Sequence, residues 1–430
     1  MKKVAFYTLG CRVNQYETES IKKQFAERGY EVVPFDSFAD VYVVNTCTVT
    51  SIADKKNRNM LRRPKKINSN SIVVATGCYA QTNHRDLAKM SDVDLIVGQK
   101  QKGSIANLVE DFSLYEGKRK SFVGNVFKYE NYSEIDFAGL RDLDKAFLKI
   151  QDGCDRFCSF CKIPFARGQK RSRNLHSILQ ECKMLVEEGF KEIVLIGIHL
   201  GAYGEDLEES CSLDDVVEKL LEIEGLERLR ISSIYPDTVT DRFVELMQHP
   251  KLMPHLHVSI QSADDNVLKL MNRRYDSSLM YEVFNKLKSK VRDVAFTGDI
   301  IVGFPGEDEN AFINTFNFVK EFNFSDLHIF PYSDRERTVA KSLPNKVDNI
   351  VKYERFKRLN LLRKSSQNSF MKRFLGKKMK ILIESERKDS AKGYTENFLR
   401  AAVDTKAKSG SIIEFVPEYI VNGIFYGREL

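Results

Sequence analysis

The hydrophobic pattern of the first hundred residues alternates between two periods. Short runs rich in β-branched residues occur at 3–9, 41–46, 71–77 and 94–98, and each has the length of a buried strand. Helical spacing of apolar positions lies between them, near 15–28, 51–62 and 82–89. Strands that alternate with helices favour a parallel sheet with helices on its faces. We therefore predict an N-terminal parallel α/β sandwich over residues 1–112, followed by a polar linker over 113–139.

The same alternation repeats six times in the middle of the chain. Strand patterns occur at 146–151, 192–199, 228–234, 256–262, 295–304 and 326–332, with an amphipathic helical pattern in each gap. Six β/α units are fewer than the eight of a complete barrel, so the pattern predicts a partial (β/α)6 barrel. In barrels of this type the reactive groups lie at the carboxyl ends of the strands. Together with a basic helix near 346–373, this domain is predicted to cover residues 140–372.

Beyond residue 373 the helical period disappears. Short strand patterns alternate with turns that contain Gly, Asn and Ser, which predicts a small β-barrel over 373–430. The fold class is therefore α/β and multidomain. The chain has no uncharged apolar run long enough to span a bilayer, so we expect a cytoplasmic protein without a membrane segment.

Charge and cysteine content add two constraints. The 67 basic and 60 acidic residues give a net charge of +7, but the basic residues are clustered. Residues 55–66 hold seven basic and no acidic residues, and residues 351–380 hold eleven basic and one acidic. Such blocks favour a polyanionic partner, with solvated helix faces as the alternative. Eight cysteines in a cytoplasmic chain of 430 residues favour metal or redox use over a disulfide framework.

Three of these cysteines crowd into one loop. Cys154, Cys158 and Cys161 directly follow the first predicted barrel strand, with C-x3-C-x2-C spacing. Three thiolates this close suit a multi-iron centre. Structural zinc usually takes four protein ligands, and no fourth Cys or His lies nearby, so a zinc knuckle is the weaker alternative. A [4Fe-4S] cluster with three protein ligands keeps one iron open for a substrate or cofactor, as catalytic metal sites keep a vacant position.

Three further cysteines share one position relative to the predicted strands. Cys11, Cys47 and Cys78 each stand just beyond the carboxyl end of a strand. Because these ends meet at one edge of a parallel sheet, we expect the three thiols to converge. Buried structural cysteines are the alternative. The placement indicates a second cluster with three protein ligands and one open iron.

The triplet motif, with Phe160 as its aromatic residue, resembles that of the radical S-adenosylmethionine (SAM) enzymes. The resemblance implies that the open iron binds SAM and that one electron cleaves SAM to methionine and a 5′-deoxyadenosyl radical. It also implies that SAM lies against a set of loop and strand positions, which are Phe160, Gly197, Ser232, Gln261 and Asp299.

Over its whole length the chain resembles the methylthiotransferases, which combine an N-terminal cluster domain, a radical SAM core and a TRAM domain, a small RNA-binding β-barrel. The resemblance rests on "TLGCRVNQYETE", "NTCTVTSIADKK", "TGCYAQ", "GCDRFCSFCKIPFARG", "IVGFPGE" and "PYSDRERTVA". Arg337 and Ala263 stand where the family more often has Gly. The resemblance implies SAM, a reducing electron donor such as a flavodoxin, and two [4Fe-4S] clusters, and we expect a monomer. The cluster ligands would be Cys11, Cys47 and Cys78 for one, and Cys154, Cys158 and Cys161 for the other.

The family has branches that differ in substrate. "LGC-x-VNQYE", "NTCTVT" and "GCYAQ" resemble the branch that modifies threonylcarbamoyladenosine in tRNA. That branch adds a methylthio group to C2 of the adenine at position 37, in the anticodon loop. The alternatives are methylthiolation of isopentenyladenosine in tRNA or of an aspartate in a ribosomal protein. A non-catalytic RNA-binding iron–sulfur protein is the alternative from another class.

Several side chains are candidates for contact with RNA. The two basic blocks agree with a tRNA substrate, because neutralised phosphates release counterions. Tyr394 and Phe398 of the small barrel are candidates for stacking on exposed bases, with core packing as the alternative. Arg167, Arg171 and Arg173 follow the triplet and are candidates for binding phosphate or a cofactor carboxylate, with ordinary surface positions as the alternative.

Overall fold

The structure is a computed structural model that describes residues 1–114, 119–129, 131–134, 144–387 and 389–430. The chain divides into two compact units. The first comprises Met1–Ala138, Gln151–Arg173 and Arg335–Thr338, and the second comprises Gly139–Ile150, Asn174–Asp334 and Val339–Leu430. The cysteine triplet therefore groups with the N-terminal residues. The domain boundaries at 112, 139 and 372 remain predictions, and residues 115–118, 130 and 135–139 of the predicted linker lie outside the described residues.

A parallel sheet of six strands forms the centre of the first unit. Its strands are β1 Lys3–Thr8, β2 Glu31–Val33, β3 Val41–Thr46, β4 Ile72–Gly77, β5 Leu95–Val97 and β6 Lys120–Phe122. Their spatial order is β2-β1-β3-β4-β5-β6, and each neighbouring pair is parallel. Successive side chains point to opposite faces, so Val43 and Val44 enter different apolar clusters. The predicted parallel α/β sandwich is confirmed.

Helices cover both faces of this sheet. They are α1 Arg12–Ala26, α2 Ser51–Arg62, α3 Pro64–Ile67, α4 Cys78–Thr82, α5 His84–Leu87 and α6 Ile105–Leu114. Helix α2 begins where Thr50 accepts a hydrogen bond from the Ala53 N–H, which satisfies one of the open donors at the helix start. The edge strands β2 and β6 escaped prediction because each has three residues that are not fully buried, whereas β5, of the same length, is a buried apolar run.

The segment that carries the triplet belongs to the first unit, and the residues on either side of it belong to the second unit. Strand β7 Ala146–Lys149 is followed by β8 Gln151–Asp152 and β9 Arg171–Ser172. The last two pair antiparallel and close the cysteine loop like a hairpin. The barrel then continues with β10 Glu192–Ile196, β11 Arg228–Ile231, β12 Ser233–Ile234, β13 His255–Gln261, β14 Ala295–Val302 and β15 Asp326–Pro331.

These strands form the predicted partial barrel. Strands β7, β10 and β11 lie side by side, as do β12, β13, β14 and β15, and all of these pairs are parallel. Strands β11 and β12 are two halves of the third barrel strand, interrupted at Ser232. Six β/α positions are therefore present, as the sequence predicts.

Except for the first, the helices of this region begin at side-chain caps. In chain order they are α7 Ile163–Arg167, α8 Leu175–Glu187, α9 Leu213–Leu221, α10 Asp241–Leu246, α11 Asp265–Leu270, α12 Ser277–Lys290, α13 Glu309–Phe322 and α14 Asn349–Lys372. Short polar side chains such as Asn174, Ser212 and Asp308 accept hydrogen bonds from the first N–H groups of α8, α9 and α13. Phe284 of α12 packs against Phe296 of β14 and Phe318 of α13 at centroid distances of 4.6 and 5.1 Å.

The C-terminal residues form a closed five-stranded barrel. Its strands are β16 Met379–Arg387, β17 Ser390–Thr395, β18 Arg400–Asp404, β19 Ile412–Val421 and β20 Ile424–Glu429. They close in the order β16-β17-β18-β20-β19 around a core that includes Ile381, Phe415 and Phe425. The predicted small β-barrel is confirmed. None of the helices in the described ranges has both the length and the apolar character needed to cross a bilayer.

Candidate metal centres

The three N-terminal cysteines lie at one edge of the first sheet. Cys11 is the N-cap of α1 after β1, Cys47 directly follows β3, and Cys78 opens α4 directly after β4. Strands β1, β3 and β4 are neighbours in the sheet, so their carboxyl ends bring the three thiols together. The thiols interact electrostatically, since Cys11 and Cys78 both oppose ionisation of Cys47.

Close packing of the backbone shapes this site. Gly10 has a φ of +108°, and a Cβ there would lie 3.0 Å from Cys47 Cβ and 3.1 Å from Cys47 Sγ. Only glycine adopts this conformation without strain and leaves room for the sulfur. The buried Asn57 side chain accepts a hydrogen bond from the Cys47 N–H at 3.2 Å and donates to the Cys47 main-chain oxygen at 2.5 Å. The position of Cys47 is thus fixed on both sides of its backbone.

Burial dominates the electrostatics of these thiols. Burial raises the pKa of Cys47 to about 12, and repulsion from Cys78 and Cys11 contributes. Burial also raises the pKa of Cys78, while the positive charges of Arg167 and Lys102 oppose the rise. Thiols whose ionisation is suppressed in this way become thiolates when a cation binds them. The donor set is sulfur from three residues, which suits iron–sulfur clusters.

The triplet lies on a loop that closes on itself. The Cys154 N–H donates to the Gly168 main-chain oxygen at 3.0 Å, and the Cys161 N–H donates to that of Cys158 at 2.9 Å. A Cβ on Gly153 would lie 1.7 Å from the Gln169 oxygen, so this close approach requires glycine. Burial raises the pKa of Cys154 to about 11, with repulsion from Cys158 adding to it. The triplet therefore offers the same donor set as the first site, sulfur from three residues.

Both cysteine sets belong to the first compact unit. Helix α7, which follows Cys161, packs against α4, which begins with Cys78. The Lys162 ammonium donates to Asn83 Oδ1, just beyond α4, at 3.3 Å. The loop of one cysteine set is thus attached to the elements that carry the other.

Arg167 is fully buried in the first unit. Its guanidinium donates to Glu17 Oε1 at 2.8 Å and Oε2 at 3.1 Å, to Asp152 Oδ1 at 2.9 Å and to Asn14 Oδ1 at 2.8 Å. The interpretations of Arg167 as an RNA ligand and as a surface residue are therefore wrong, and contact with a cofactor carboxylate remains a prediction. Its neighbours Arg171 and Arg173 are also buried.

Sequence reasoning missed the polar partners inside this unit. Asn14, Glu17 and Thr18 occupy the buried face of α1 together with Ile21. Their i, i+3, i+4 and i+7 spacing is that of a core-facing stripe, yet three of the four are polar. The signal in the sequence was the presence of polar residues at helix positions where the spacing predicts apolar, core-facing ones.

Arg335 is another buried arginine of the first unit. Its Nη2 donates to the main-chain oxygen of Thr48 at 2.8 Å and to the Thr48 hydroxyl at 3.1 Å. The same nitrogen lies 2.8 Å from Asp54 Oδ2. Thr48 directly follows Cys47, so Arg335 holds the loop on one side of the N-terminal cysteine site.

The predicted SAM positions are distributed over both units. Phe160 is half-buried between Cys158 and Cys161 in the first unit. In the second unit Gly197 follows β10, Ser232 lies at the break between β11 and β12, and Gln261 ends β13 with a φ of +62°. These four residues remain predicted contacts.

Asp299 stands apart because it lies inside β14 rather than at its end. Its carboxylate oxygens lie 3.2 Å from His257 Nε2 and 3.2 Å from His328 Nδ1. Although burial acts to raise it, hydrogen bonds from the two imidazoles hold the pKa of Asp299 well below its usual range. Neither histidine was identified from the sequence. Asp299 remains a predicted SAM contact, now with two partners that orient it.

The structure changes the interpretation of one of the two aromatic residues that were predicted to contact RNA. The Phe398 ring lies 4.6 Å from the Tyr394 centroid, 4.7 Å from that of His255 and 4.9 Å from the Arg230 guanidinium. The core-packing alternative therefore applies to Phe398, which joins the small barrel to β11 and β13.

The two basic blocks differ in how their cationic side chains are used. In α14 and the turn after it, Arg355, Arg358, Arg363 and Arg373 form ion pairs within the protein. In α2 and α3, by contrast, Lys55, Lys56, Arg62 and Lys66 are exposed. The first block therefore offers an exposed cationic face, whereas about half of the second is used for internal stabilisation.

Comparison with known proteins shows which family the chain belongs to. Residues 3–98 match the uncharacterized protein family UPF0004, and residues 148–319 match the Radical SAM superfamily. The threonylcarbamoyladenosine tRNA methylthiotransferase MtaB of Bacillus subtilis (strain 168) is 40% identical over 421 residues, which are 96% of this chain and 93% of that protein. The chain belongs to the methylthiotransferase family. Its radical SAM domain and its likeness to MtaB place it in the MtaB branch of that family.

Other methylthiotransferases and solved structures are also similar. MtaB of Aquifex aeolicus (strain VF5) is 40% identical over 92% of this chain and 96% of its own length. The tRNA-2-methylthio-N(6)-dimethylallyladenosine synthase of Bartonella tribocorum is 32% identical over 99% of this chain and 96% of its own length. The radical SAM methyltransferase TsrM from Kitasatospora setae superposes with a TM-score of 0.61 at 12% identity, covering 79% of this chain and 77% of TsrM, which shows a shared fold.

Proposed function

We propose that this protein is a cytoplasmic methylthiotransferase that converts N6-threonylcarbamoyladenosine at position 37 of tRNA into its 2-methylthio derivative. The observation that carries the proposal is the presence of two three-cysteine sites in one compact unit, on a chain 40% identical to MtaB over 96% of its length. The adenine C2–H is not acidic, so proton transfer alone cannot functionalise it. A reaction that replaces this hydrogen needs a radical and a sulfur carrier, and two cluster sites suit these two tasks.

The chain's own residues have separable tasks in this proposal. Cys154, Cys158 and Cys161 would hold the cluster that binds SAM, and the set of Cys11, Cys47 and Cys78 would hold the second cluster. When bound, the two clusters and SAM supply the radical and the transferred methylthio group. Buried Asn57 holds the loop of Cys47, and Arg335 holds the residue that follows it.

Binding of tRNA is the task of exposed cationic and aromatic side chains. Lys55, Lys56 and Arg62 project from α2, close in sequence to Cys47, and would neutralise phosphates. On the small barrel, Tyr419 is 54% exposed and stacks on Tyr426 at a centroid distance of 5.2 Å. Such a ring is a platform for an unpaired base, and position 37 lies in a loop, where bases are displaced more readily than in a duplex.

A low-potential donor such as a flavodoxin would supply the electron, and the chain would act as a monomer.

Nucleoside analysis of tRNA tests the proposal. Digests from a strain that lacks the gene should contain N6-threonylcarbamoyladenosine without its 2-methylthio derivative. The wild-type gene should restore the derivative, a Cys158→Ala gene should not, and a Cys211→Ala gene, changed at a cysteine outside both sites, should. Unchanged 2-methylthio-N6-threonylcarbamoyladenosine in the deletion strain would contradict the proposal. Loss of the methylthio group from the isopentenyl nucleoside instead would favour the function named for the Bartonella relative.

A further inference from the structure

Arg167 forms the centre of a buried charge cluster. It lies at the end of α7 in the loop of the cysteine triplet, and its side chain is 0% exposed. Glu17, 150 residues earlier, accepts both arms of its guanidinium at 2.8 and 3.1 Å. Asp152 accepts a third hydrogen bond at 2.9 Å. Paired contacts of this type fix the guanidinium in position as well as neutralising it.

Two further cations complete the cluster. The ammonium group of Lys102 also contacts Glu17, and both side chains are 1% exposed. Arg171 Nη2 lies 3.9 Å from Asp152 Oδ2, so three cations surround the two carboxylates. The arrangement depends on every member, because a buried charge that loses its partner is poorly compensated.

This charge cluster is hydrogen-bonded to the elements that carry the N-terminal cysteines. Asn14, which accepts a hydrogen bond from Arg167 at 2.8 Å, donates to the main-chain oxygen of Thr46, the residue before Cys47, at 3.2 Å. Glu17, which also accepts from Arg167, lies on α1, and Cys11 is the N-cap of that helix. Arg167 thus belongs to the loop of one cysteine set and is bonded to the elements that carry the other.

We propose that Arg167 is a positioning residue that sets the reduction potential of the cluster held by Cys11, Cys47 and Cys78. The proposal rests on the proposed function, since it requires a cluster at that site. One-electron reduction adds negative charge to a cluster, and a fixed guanidinium in a low-dielectric interior stabilises the reduced form. Because the guanidinium is carried by the triplet loop, any displacement of that loop would alter the potential of the other cluster.

Charge substitutions of opposite sign separate this role from a purely structural one. Arg167→Gln removes a positive charge and should make the potential more negative, whereas Glu17→Gln removes a negative charge and should make it more positive. Asp152→Asn should act in the direction of Glu17→Gln. If the substitutions acted only by disturbing the structure, the shift of the reduction potential would not change sign with the charge that is removed.

The experiment is a redox titration of the reconstituted full-length chain followed by electron paramagnetic resonance. The N-terminal cluster is identified as the signal that survives in a variant with alanine at Cys154, Cys158 and Cys161. We expect Arg167→Gln and Glu17→Gln each to change the ratio of reduced to oxidised cluster about tenfold at fixed potential, in opposite directions, which is about 59 mV for one electron.

Two controls keep the test decisive. Lys170→Gln alters an ion pair with Asp155 in the same loop, 3.1 Å long and partly exposed, and should leave the potential unchanged. If Arg167→Gln does not assemble the cluster, Arg167→Lys, which keeps the charge, should retain the wild-type potential, and Glu17→Gln should still raise it. Equal potentials, or shifts of the same sign in Arg167→Gln and Glu17→Gln, would overturn the inference. A wild-type chain with only one cluster signal would instead refute the two-cluster function on which it rests.

Discussion

Arg335 Nη2 lies 2.8 Å from the main-chain oxygen of Thr48, a residue 287 positions earlier in the chain. The arginine side chain is 7% exposed, and the same nitrogen reaches Asp54 at 2.8 Å. Thr48 follows Cys47, so a segment that comes after the last barrel strand determines the geometry of a cysteine loop near the N-terminus.

Replacing Arg335 with glutamine should weaken the N-terminal cysteine site. Removal of a buried, charged hydrogen-bond donor costs about 1.5–3 kcal/mol, and here the loss falls on the loop after Cys47. Iron analysis of the reconstituted variant should show a preferential loss from the N-terminal cluster. Lys346→Gln, which removes a half-exposed pair with Asp334 at 2.6 Å, is the control and should keep all its iron. Full iron in Arg335→Gln would show that this contact does not support the site.

The two cysteine sets should contribute equally to iron content. Two four-iron clusters give about eight irons per chain, so Cys154→Ala and Cys47→Ala should each retain about half. Cys211→Ala removes a cysteine outside both sets and should retain the full amount. Full iron in Cys154→Ala would show that the triplet is not a ligand set.

Alkylation of the metal-free protein should reveal the burial of Cys47. Its pKa of about 12 leaves a very small thiolate fraction at pH 8, and that fraction rises tenfold with each pH unit up to the pKa. Labelling of Cys47 by iodoacetamide should therefore be slow at pH 8 and accelerate steeply towards pH 10, while exposed Cys11 is labelled rapidly. Peptide mass spectrometry measures both rates.

Cys182 is the matched control for alkylation. It is buried in α8, its pKa is also raised to about 12 by burial, and it belongs to neither cysteine set. Cluster reconstitution should protect Cys47 completely and leave the labelling rate of Cys182 unchanged. Equal labelling rates for Cys47 and Cys11 at pH 8 would contradict the description of the site.

The exposed cations of α2 should contribute to tRNA affinity through phosphates. The triple variant Lys55→Ala, Lys56→Ala and Arg62→Ala should bind tRNA more weakly, and the slope of log affinity against log salt should decrease by about one per lost phosphate contact. Lys288→Ala, Lys290→Ala and Arg292→Ala change the same charge at the exposed end of α12 and its following turn and serve as the control. Equal slopes for the two triple variants would show that α2 does not contact phosphate.

The sequence predicted the sheets well because their strands are apolar runs bounded by turns. The runs at 41–46 and 295–304 correspond to β3 and β14, and the helical pattern at 51–62 coincides with α2. Strand β17 has no clear strand pattern, since Ser390–Thr395 contains Lys392 and Gly393 and lacks the clean alternation of a strand. Its pairing with β16 and β18 depends on residues distant in sequence, which local pattern does not contain.

The site was predictable as far as its chemistry is local. Cysteine spacing and strand ends predicted both sulfur sets, whereas Glu17 lies 150 residues from Arg167 and Thr48 lies 287 residues from Arg335, so these contacts became visible only in three dimensions. Arg337, where the family more often has Gly, has a φ of +66°, so this departure carries backbone strain. Ala263, the other departure, donates its N–H to Thr315 Oγ1 at 2.9 Å in an ordinary conformation.

The most direct test of the account is the mass of the nucleoside made by the purified, reconstituted full-length chain with SAM and a strong reductant. With tRNA that carries N6-threonylcarbamoyladenosine at position 37, we expect its 2-methylthio derivative, and tRNA that carries isopentenyladenosine should remain unmodified. The Cys47→Ala and Cys158→Ala variants should give no product, and Cys211→Ala should give the wild-type amount. Formation of 5′-deoxyadenosine without any methylthio nucleoside, or a product only from the isopentenyladenosine tRNA, would contradict the account.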